Sequence, residues 1–225
     1  MSAPRAVLWD MDGTLVDSEE FHWIAWRDIM ANEGISITRE QFLASFGQRN
    51  DSILPQWLGA TATVERMERI ADAKEERYRH LVRTEGMSPL PGVAGWLHQL
   101  HQQEWLQVIA SAAPRANVVV VLAALSAAHF FQGIVSAEDV HKGKPDPEVY
   151  LIAASRVGVA PDRCIVVEDA AAGVEGARRA GMRSIGVSPN GKRLAADVVV
   201  KSLDLLAPNA FETLLRNSGA SPRNG

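Results

Sequence analysis

Two acidic residues, Asp10 and Asp12, follow the short apolar run Ala6–Trp9 near the start of the chain. An apolar run that ends in alternate carboxylates is typical of a buried parallel strand, and it places the acids at the carboxyl edge of a sheet. In open α/β sheets, ligands bind at that edge. Two negative charges so close together cost free energy unless a cation or a shared proton neutralises them. The pair therefore indicates metal-assisted chemistry, although a lone Asp-x-Asp is a weak signal because acidic turns are common.

Further polar side chains occur where other apolar runs end. Ser111 directly follows the run Leu106–Ala110, and the adjacent acids Glu168 and Asp169 follow an apolar run that begins at Cys164. The carboxyl ends of parallel strands meet at one edge of a sheet, so we expect these groups to lie near the first pair of acids. Each of these positions would be commonplace by itself.

The elements that must position these groups are six short apolar runs that alternate with helical stretches. Continuous apolar strands separated by helices predict an α/β fold, with a parallel sheet covered on both faces. The stretch Arg115–Leu125 contains four consecutive valines, but we predict a helix there because a parallel crossover needs one. The predicted strands are Ala6–Trp9, Leu106–Ala110, Gly133–Val135, Cys164–Val167, Arg183–Val187 and Asp197–Val200.

The segment between the first two predicted strands has no convincing strand and is rich in charge and helix formers. Thr38 followed by Gln41 predicts a capping box at the start of one helix. Pro55 suits the first turn of a short helix over Leu54–Leu58. A long charged helix is predicted over Val64–Val82.

This helical segment predicts an inserted domain over residues 18–87. The α/β core is expected to comprise residues 1–17 and 88–225, with a disordered tail over 217–225 because of its Ser, Gly, Pro and Asn content. An ordinary helical excursion packed on the sheet is the alternative. Insertion so soon after Asp10 favours a cap that closes over the acids.

Composition limits the possible partners. A chain of 225 residues with 47% hydrophobic content can bury one large core, or a core and a modest second lobe. The net charge of −4 and the lack of a basic stripe argue against nucleic-acid and membrane partners. Cys164 is the one cysteine and cannot form an internal disulfide, which fits the cytoplasm. No pattern indicates an obligate protein partner.

The string Asp10–Ser18 resembles the first motif of the haloacid dehalogenase-like superfamily, in its phosphatase and phosphomutase branch. The resemblance implies a Rossmann-like parallel-sheet core with an inserted helical-bundle cap. It also implies that Asp10 is the nucleophile that forms an aspartyl-phosphate, and that Asp12 protonates the leaving oxygen and later deprotonates the attacking water. The dehalogenase branch lacks the second Asp, so Asp12 favours phosphoryl transfer over carbon–halogen cleavage.

Two further motifs of that superfamily resemble segments of this chain. Ser111 matches the second motif, in which a hydroxyl donates to a phosphoryl oxygen, and the backbone N–H of Ala112 would join it. The loop Lys142–Pro147 resembles the third motif, which selects Lys144 because it directly precedes proline. Its ammonium would neutralise both the nucleophile and the phosphate, whereas Lys142 is expected to be a solvated loop charge.

Glu168 and Asp169 match the fourth motif, which supplies carboxylate to magnesium. Mg²⁺ prefers octahedral oxygen coordination and keeps several waters. The resemblance implies a shell of Asp10, the Asp12 backbone carbonyl, Asp169, phosphate and water, with Glu168 bound directly or through water. One of the two adjacent acids has the alternative role of capping the next helix.

Parts of the predicted cap resemble the β-phosphoglucomutases. By that resemblance, His22 helps to transfer protons near Asp12, Arg49 clamps the distal phosphate of a sugar bisphosphate, and Lys74 belongs to the same cap surface. The matching stretches are Asp17–Trp26, Gly47–Ser52 and the pair Lys74 and Tyr78.

Each of these cap residues also has an ordinary structural explanation. His22 fits a helix face together with Trp26 and Ile29. Arg49 fits an exposed loop charge, and Lys74 fits a solvated helix residue, which is the explanation we favour for it.

The residues after Ser111 depart from the mutase pattern. Mutases usually carry further polar residues there for the distal phosphate, whereas this chain has Ala113 and Pro114, with Arg115 as a candidate to compensate. An incomplete clamp favours attack by water, so we predict a Mg²⁺-dependent phosphatase of a small phosphorylated metabolite, with a sugar phosphate as the expected substrate. A β-phosphoglucomutase-like enzyme is the alternative. A non-catalytic protein that binds phosphometabolites is a third possibility.

Overall fold

A six-stranded parallel sheet forms the centre of the computed structural model, which describes residues 3–216. The spatial order of its strands is β3-β2-β1-β4-β5-β6, and every neighbouring pair is parallel. All six predicted strands are confirmed to within one residue at either end. The strands are β1 Ala6–Trp9, β2 Leu106–Ala110, β3 Gly133–Val135, β4 Cys164–Glu168, β5 Arg183–Val187 and β6 Val198–Val200.

At least one α-helix connects each pair of successive strands from β1 to β5, as parallel crossovers require, and this confirms the α/β class. The valine-rich stretch after β2 is a helix, as predicted. Among residues 3–216, no helix combines the length and the hydropathy needed to cross a membrane. The helices are α1 Glu19–Asn32, α2 Arg39–Ser45, α3 Asn50–Leu58, α4 Val64–Glu85, α5 Val93–Gln102, α6 Arg115–Ala124, α7 Glu148–Arg156, α8 Ala171–Arg179 and α9 Ala210–Arg216.

Both faces of the sheet are covered, which explains why its strands are continuously apolar. Along β1, Val7 and Trp9 point into one hydrophobic cluster, whereas Ala6 and Leu8 point into the cluster on the other face. All four side chains are fully buried. Because both faces are covered, the ends of the strands are the places where polar groups can meet a ligand, and the candidate site residues of the sheet lie there.

Helices α1 to α4 form a separate hydrophobic cluster that includes Trp26, Phe42 and Ile70. The long helix α4 connects this cluster to the core, because Tyr78 and Leu81 near its carboxyl end pack in the main cluster beside the sheet. The predicted domain boundaries remain predictions. The predicted disordered tail lies outside the described residues.

Within helices α1 to α4, which form the predicted cap, one local prediction is confirmed and another was wrong. Thr38 and Gln41 form the predicted capping box, in which each side chain bonds the backbone of the other residue, at 3.2 and 2.8 Å. The prediction that Pro55 lies in the first turn of its helix was wrong, because α3 begins at Asn50 and contains Pro55 in its second turn. Both Pro55 and Asp51, four residues earlier, are exposed, so water can bond the Asp51 carbonyl that a proline cannot.

Candidate active site

The carboxyl edge of the sheet brings together three of the predicted site residues, Asp10, Lys144 and Glu168. Asp10 follows β1, and its N–H donates to the carbonyl of Val167 in the neighbouring strand β4 at 3.0 Å. β4 ends with Glu168, so the pairing of the two strands places both carboxylates side by side. Lys144 lies between them, with its Nζ 2.5 Å from Asp10 Oδ1 and also donating to Glu168 Oε1.

The excess of carboxylates over cations perturbs the titration of these groups. Burial raises the pKa of Asp10 well above its ordinary value, with Glu168 and Asp169 adding to the rise and Lys144 opposing it. Burial and the neighbouring Glu168 raise the pKa of Asp169 to about 7. Burial alone would lower the pKa of Lys144, but Asp10 and Glu168 together hold it well above the ordinary lysine value. One ammonium therefore does not neutralise this cluster of acids.

The donor set fits a hard divalent cation. Asp10, Glu168 and Asp169 each offer a carboxylate oxygen, and these oxygens all lie within 4.8 Å of one another. Carboxylate oxygens are the ligands that Mg²⁺ prefers, and a cation would relieve the repulsion that raises the pKa of Asp169. Gly13 shapes this cradle, since its φ of +80° suits glycine and a Cβ there would overlap the Asp169 carboxylate.

Glu168 is more firmly engaged by the protein than the other two acids. It accepts from Tyr150 Oη at 3.0 Å and from the backbone N–H of Ala170 at 2.9 Å, in addition to Lys144. The bond reaches Ala170, the residue that precedes α8, but α8 has no side-chain cap, so the alternative in which one acid caps that helix remains a prediction. A Cβ at Gly173 would overlap this carboxylate, so glycine in the first turn of α8 makes room for it.

Asp12 belongs to a second group of polar residues, which extends into the cap. Its Oδ1 accepts from Ser18 Oγ at 2.5 Å and lies 3.6 Å from His22 Nε2. The other ring nitrogen of His22, Nδ1, is 3.0 Å from Lys74 Nζ. The structure therefore brings the predicted proton-transfer residues together with Asp12.

The surroundings of His22 and Lys74 show how each residue is held, and they correct the expected exposure of Lys74. The His22 ring stacks on Tyr78, with centroids 4.1 Å apart, while Nε2 faces Asp12. The expectation that Lys74 is a solvated helix residue was wrong, because only 3% of it is exposed. It follows Ile70 at helical spacing on the buried face of α4, and helix geometry carries it inward.

Asp12 and His22 are held in particular charge states. Burial would raise the pKa of Asp12, but hydrogen bonding and charge from His22, with Ser18 and Lys74, lower it below the ordinary value. Burial and the Lys74 charge lower the pKa of His22. The two shifts favour the ionised form of Asp12 and the neutral form of His22.

A narrow pocket joins the core residues to the cap. It is lined by Ser111, Ala112 and Lys144 of the core, and by Arg49 of the cap. Ser111 Oγ accepts from the backbone N–H of Ala113 at 3.1 Å, which leaves its hydroxyl proton available to a ligand. Arg49 is partly exposed and bonds Asp51 at 3.2 Å, so it is a loop charge that also faces the pocket.

Arg115 lies apart from this pocket in the structure. Its guanidinium donates to Asp139 at 2.6 Å and to the Ile134 carbonyl at 3.3 Å, and its backbone N–H donates to Glu138 at 3.0 Å. A compensating role in binding phosphate remains a prediction, and it would require Arg115 to leave Asp139.

Several residues that contact the site were missed by sequence reasoning. Tyr150 supports Glu168, and Glu75 and Asn117 extend the network beyond Lys74. Lys142, predicted to be a solvated loop charge, is indeed highly exposed, yet it also lines the pocket beside Arg49. Tyr150 lies in the first turn of α7, and the spacing of residues along that helix does not predict a contact with Glu168 at the end of β4.

Comparison with known proteins gives a consistent result. The sequence model of the family described as haloacid dehalogenase-like hydrolase matches residues 7–187. The chain is 31% identical over 205 residues to the β-phosphoglucomutase of Bacillus subtilis, covering 88% of this chain and 89% of that protein. It is 34% identical over 220 residues to hexitol phosphatase B of Escherichia coli, covering 90% and 96%. Against the fructose-1-phosphate phosphatase YqaB of E. coli the identity is 31%, covering 80% and 95%.

Solved structures agree with this. The crystal structure of β-phosphoglucomutase from Clostridium difficile superposes with a TM-score of 0.87 at 27% identity, covering 97% of this chain and all of the other. CbbY from Rhodobacter sphaeroides, solved in complex with xylulose-1,5-bisphosphate, gives a TM-score of 0.83 at 25% identity, covering 91% and 96%. The similarity therefore spans both the sheet and the inserted helices.

Proposed function

The chain belongs to the haloacid dehalogenase-like hydrolases and is an enzyme of their phosphatase and phosphomutase group, and from that premise we propose that it is a Mg²⁺-dependent phosphatase of a small sugar phosphate. One observation carries the proposal. Lys144 bridges Asp10 and Glu168 at the end of a pocket that Ser111 and Arg49 also line. A phosphate-neutralising ammonium and a hydroxyl donor therefore line one narrow space, and the ammonium is bonded directly to the proposed nucleophile Asp10.

In the proposed reaction, a carboxylate oxygen of Asp10 attacks phosphorus in line and the bond to the leaving oxygen breaks, giving an aspartyl-phosphate. Lys144 offsets the negative charge of both reacting groups. Ser111 Oγ and the Ala112 N–H donate to phosphoryl oxygens and orient the group. Water then attacks the aspartyl-phosphate and regenerates the free Asp10 carboxylate.

Proton transfer falls to Asp12. The ionised carboxylate of the empty site must gain a proton before it can protonate the leaving oxygen. A phosphate dianion bound nearby raises the pKa of a carboxyl group by charge repulsion, so substrate itself shifts Asp12 towards its acidic form. After the leaving group departs, Asp12 is a carboxylate again and accepts a proton from the attacking water, with His22 holding it in place.

Asp10, Asp169 and the Asp12 backbone carbonyl would hold Mg²⁺, with Glu168 next to it. When bound, the cation would supply positive charge against the phosphoryl oxygens. We keep the cytoplasm as the proposed location, since Cys164 is a free, buried thiol and needs no oxidising compartment.

The surroundings of Ala113 and Pro114 support hydrolysis over isomerisation. Ala113 and Pro114 themselves offer no side-chain donor to a second phosphate, and the N–H of Arg115 is already bound by Glu138. A mutase must retain its bisphosphate intermediate while that intermediate reorients in the site, which requires two strong anion sites. The site therefore favours release of product after one phosphoryl transfer.

The arrangement of His22 and Lys74 supports the second candidate, a sugar phosphomutase. It is the part of the cap that resembles the β-phosphoglucomutases, and the Bacillus subtilis relative carries that name. The alternative of a non-catalytic binding protein does not stand, since the chain is an enzyme of this family.

Two measurements test the proposal. Phosphate release from a panel of phosphorylated sugars and polyols should require Mg²⁺ and stop with a chelator. β-Glucose 1-phosphate with a trace of the 1,6-bisphosphate should yield inorganic phosphate. Rapid formation of glucose 6-phosphate without phosphate release would instead support the mutase, and no turnover in either assay would refute both.

A further inference from the structure

A buried network of hydrogen bonds leads from His22, which faces Asp12, through the cap and returns to the core. Its central member is Glu75 on α4, which is 7% exposed. Glu75 Oε1 accepts from Lys74 Nζ at 2.8 Å and from Asn50 Nδ2 at 2.7 Å. Its other oxygen, Oε2, accepts from Asn117 Nδ2 at 2.6 Å. Asn117 is fully buried in the first turn of α6, which belongs to the core.

At the end of this hydrogen-bond network near Asp12, Lys74 sets the tautomer of His22. The ammonium of Lys74 has three protons and no lone pair, so His22 Nδ1, 3.0 Å away, must be the acceptor. A neutral imidazole carries its one proton on the other nitrogen, Nε2, which faces Asp12. Lys74 therefore decides that His22 presents an N–H, and not a lone pair, to the carboxylate.

At the end of the hydrogen-bond network in the core, the orientation of the Asn117 amide is fixed. Its Oδ1 accepts from Arg79 Nη1 at 3.0 Å, so its Nδ2 must be the group that donates to Glu75. Arg79 is itself held by Glu76, at 3.1 and 2.7 Å. A flip of this amide would break its bonds to both Arg79 and Glu75. The Asn117 Nδ2 donor therefore points at Glu75 in one fixed direction.

We propose that Glu75 and Asn117 are positioning residues for the proton transfer at Asp12. The bond between them joins the cap helix α4 to the core helix α6, and it aims Lys74 at His22 when the two helices are in contact. The inference deepens the proposed function and rests on it for its kinetic consequences. It assigns no contact with substrate to either residue.

The physical reason is the cost of an unpaired oxygen in a buried carboxylate. Without Asn117, Glu75 Oε2 loses its donor in a place that water does not readily reach. The carboxylate would then turn to share the protons of Lys74 and Asn50, which draws Lys74 away from His22. His22 would lose the partner that keeps its proton on Nε2.

The test compares three variants with the wild type. Asn117→Leu removes the donor and keeps a side chain branched at Cγ, and Glu75→Gln replaces the carboxylate by an amide of the same shape, so the second still tests the inference if the first does not fold. Gln107→Leu is the matched control. It removes another fully buried amide, whose bonds to Trp9 and Leu97 lie within the core.

Two kinds of phosphate ester separate positioning from general damage. A sugar phosphate has a poor leaving group that needs a proton, whereas nitrophenyl phosphate releases a stable anion that does not. We expect Asn117→Leu and Glu75→Gln to lower sugar phosphate turnover by about tenfold or more, while the first burst of nitrophenolate changes by less than about twofold. Equal losses on both esters, or equal losses in Gln107→Leu, would overturn the proposal.

The second readout is independent of catalysis. Long-range ¹H–¹⁵N spectra of the imidazole nitrogens should show His22 with its proton on Nε2 in the wild type and in Gln107→Leu, and a mixed tautomer in the two test variants. An unchanged His22 tautomer in both test variants would refute the positioning role. If the wild type hydrolyses no phosphate ester, the proposed function fails, while these spectra still decide whether Glu75 and Asn117 orient His22.

Discussion

Substitution of Gly13 by alanine tests whether the close approach of Asp169 builds the cation site. At Gly13 the φ angle is +80°, and a Cβ would overlap the Asp169 carboxylate. Gly34 offers a matched control, because its φ is +74° and nothing lies within 4 Å of a Cβ there. The two substitutions therefore carry the same backbone strain, and only Gly13→Ala displaces a candidate ligand.

The expected magnitudes separate these two effects. The left-handed conformation costs an alanine about 1–2 kcal/mol, which for a chain of this size lowers the melting temperature by about 2–8 °C. Gly34→Ala should show this loss and no other. Gly13→Ala should add a rise of about 10- to 100-fold in the Mg²⁺ concentration that gives half-maximal phosphate release, as expected when the support of a metal ligand is disturbed.

The assay is phosphate release titrated with Mg²⁺, with thermal unfolding of each metal-free variant measured in parallel. The reasoning would be refuted if Gly13→Ala kept the wild-type Mg²⁺ dependence. It would be refuted equally if Gly34→Ala shifted that dependence as far, since backbone strain alone would then account for the effect.

Three other predictions address the nucleophile, the cation site and the pocket. Asp10→Asn should lower turnover by about 10³-fold or more with little loss of thermal stability, and near-normal turnover in a clean preparation would exclude Asp10 as nucleophile. Because the pKa of Asp169 is raised to about 7, Mg²⁺ must displace a proton at lower pH, so the half-saturating concentration should rise as pH falls below about 7; a flat profile from pH 8 to 5.5 would contradict this. The same shift makes the contribution of Asp169 to stability fall as pH rises from about 4 to 7, and added Mg²⁺ should reverse the lower melting temperature at pH 8. Lys142→Gln should raise KM about 3- to 10-fold for esters that carry a second anionic group and leave simple monophosphates unchanged, whereas equal effects on both would assign Lys142 a general role.

The sheet and much of its polar edge were predictable because burial leaves a strong local pattern. A strand covered on both faces is largely apolar, as β1 is and as β4 is up to Val167, and the first polar residue after that run marks the edge of the sheet. Asp10, Ser111 and Glu168 were found in this way. The motif that contains Lys144 added the cation, which lies in a loop where periodicity gives no information.

The network beyond Asp12 was harder to predict, for a physical reason. The bond from Asn117 to Glu75 joins residues 42 positions apart, and such a bond leaves no trace in helical or strand spacing. The wrong prediction for Lys74 has a different cause. Helical spacing placed Lys74 on the apolar face of α4, but the prediction followed the general preference of lysine for solvent. Its burial is possible because Glu75 and His22 pair with it, and that pairing is tertiary information.

The charge balance of the site links the binding of cation and substrate. When Asp10, Glu168 and Asp169 are all ionised, Lys144 leaves two negative charges without a counter-charge. A phosphate dianion that enters this site meets repulsion from the carboxylate that must attack it. A divalent cation at the same acids removes that excess and lowers the pKa of Asp10 and Asp169, so Asp10 becomes more fully ionised as its repulsion towards phosphate is relieved. The same charges that destabilise the metal-free site thus favour the cation-bound form in which the nucleophile and the phosphate can approach each other.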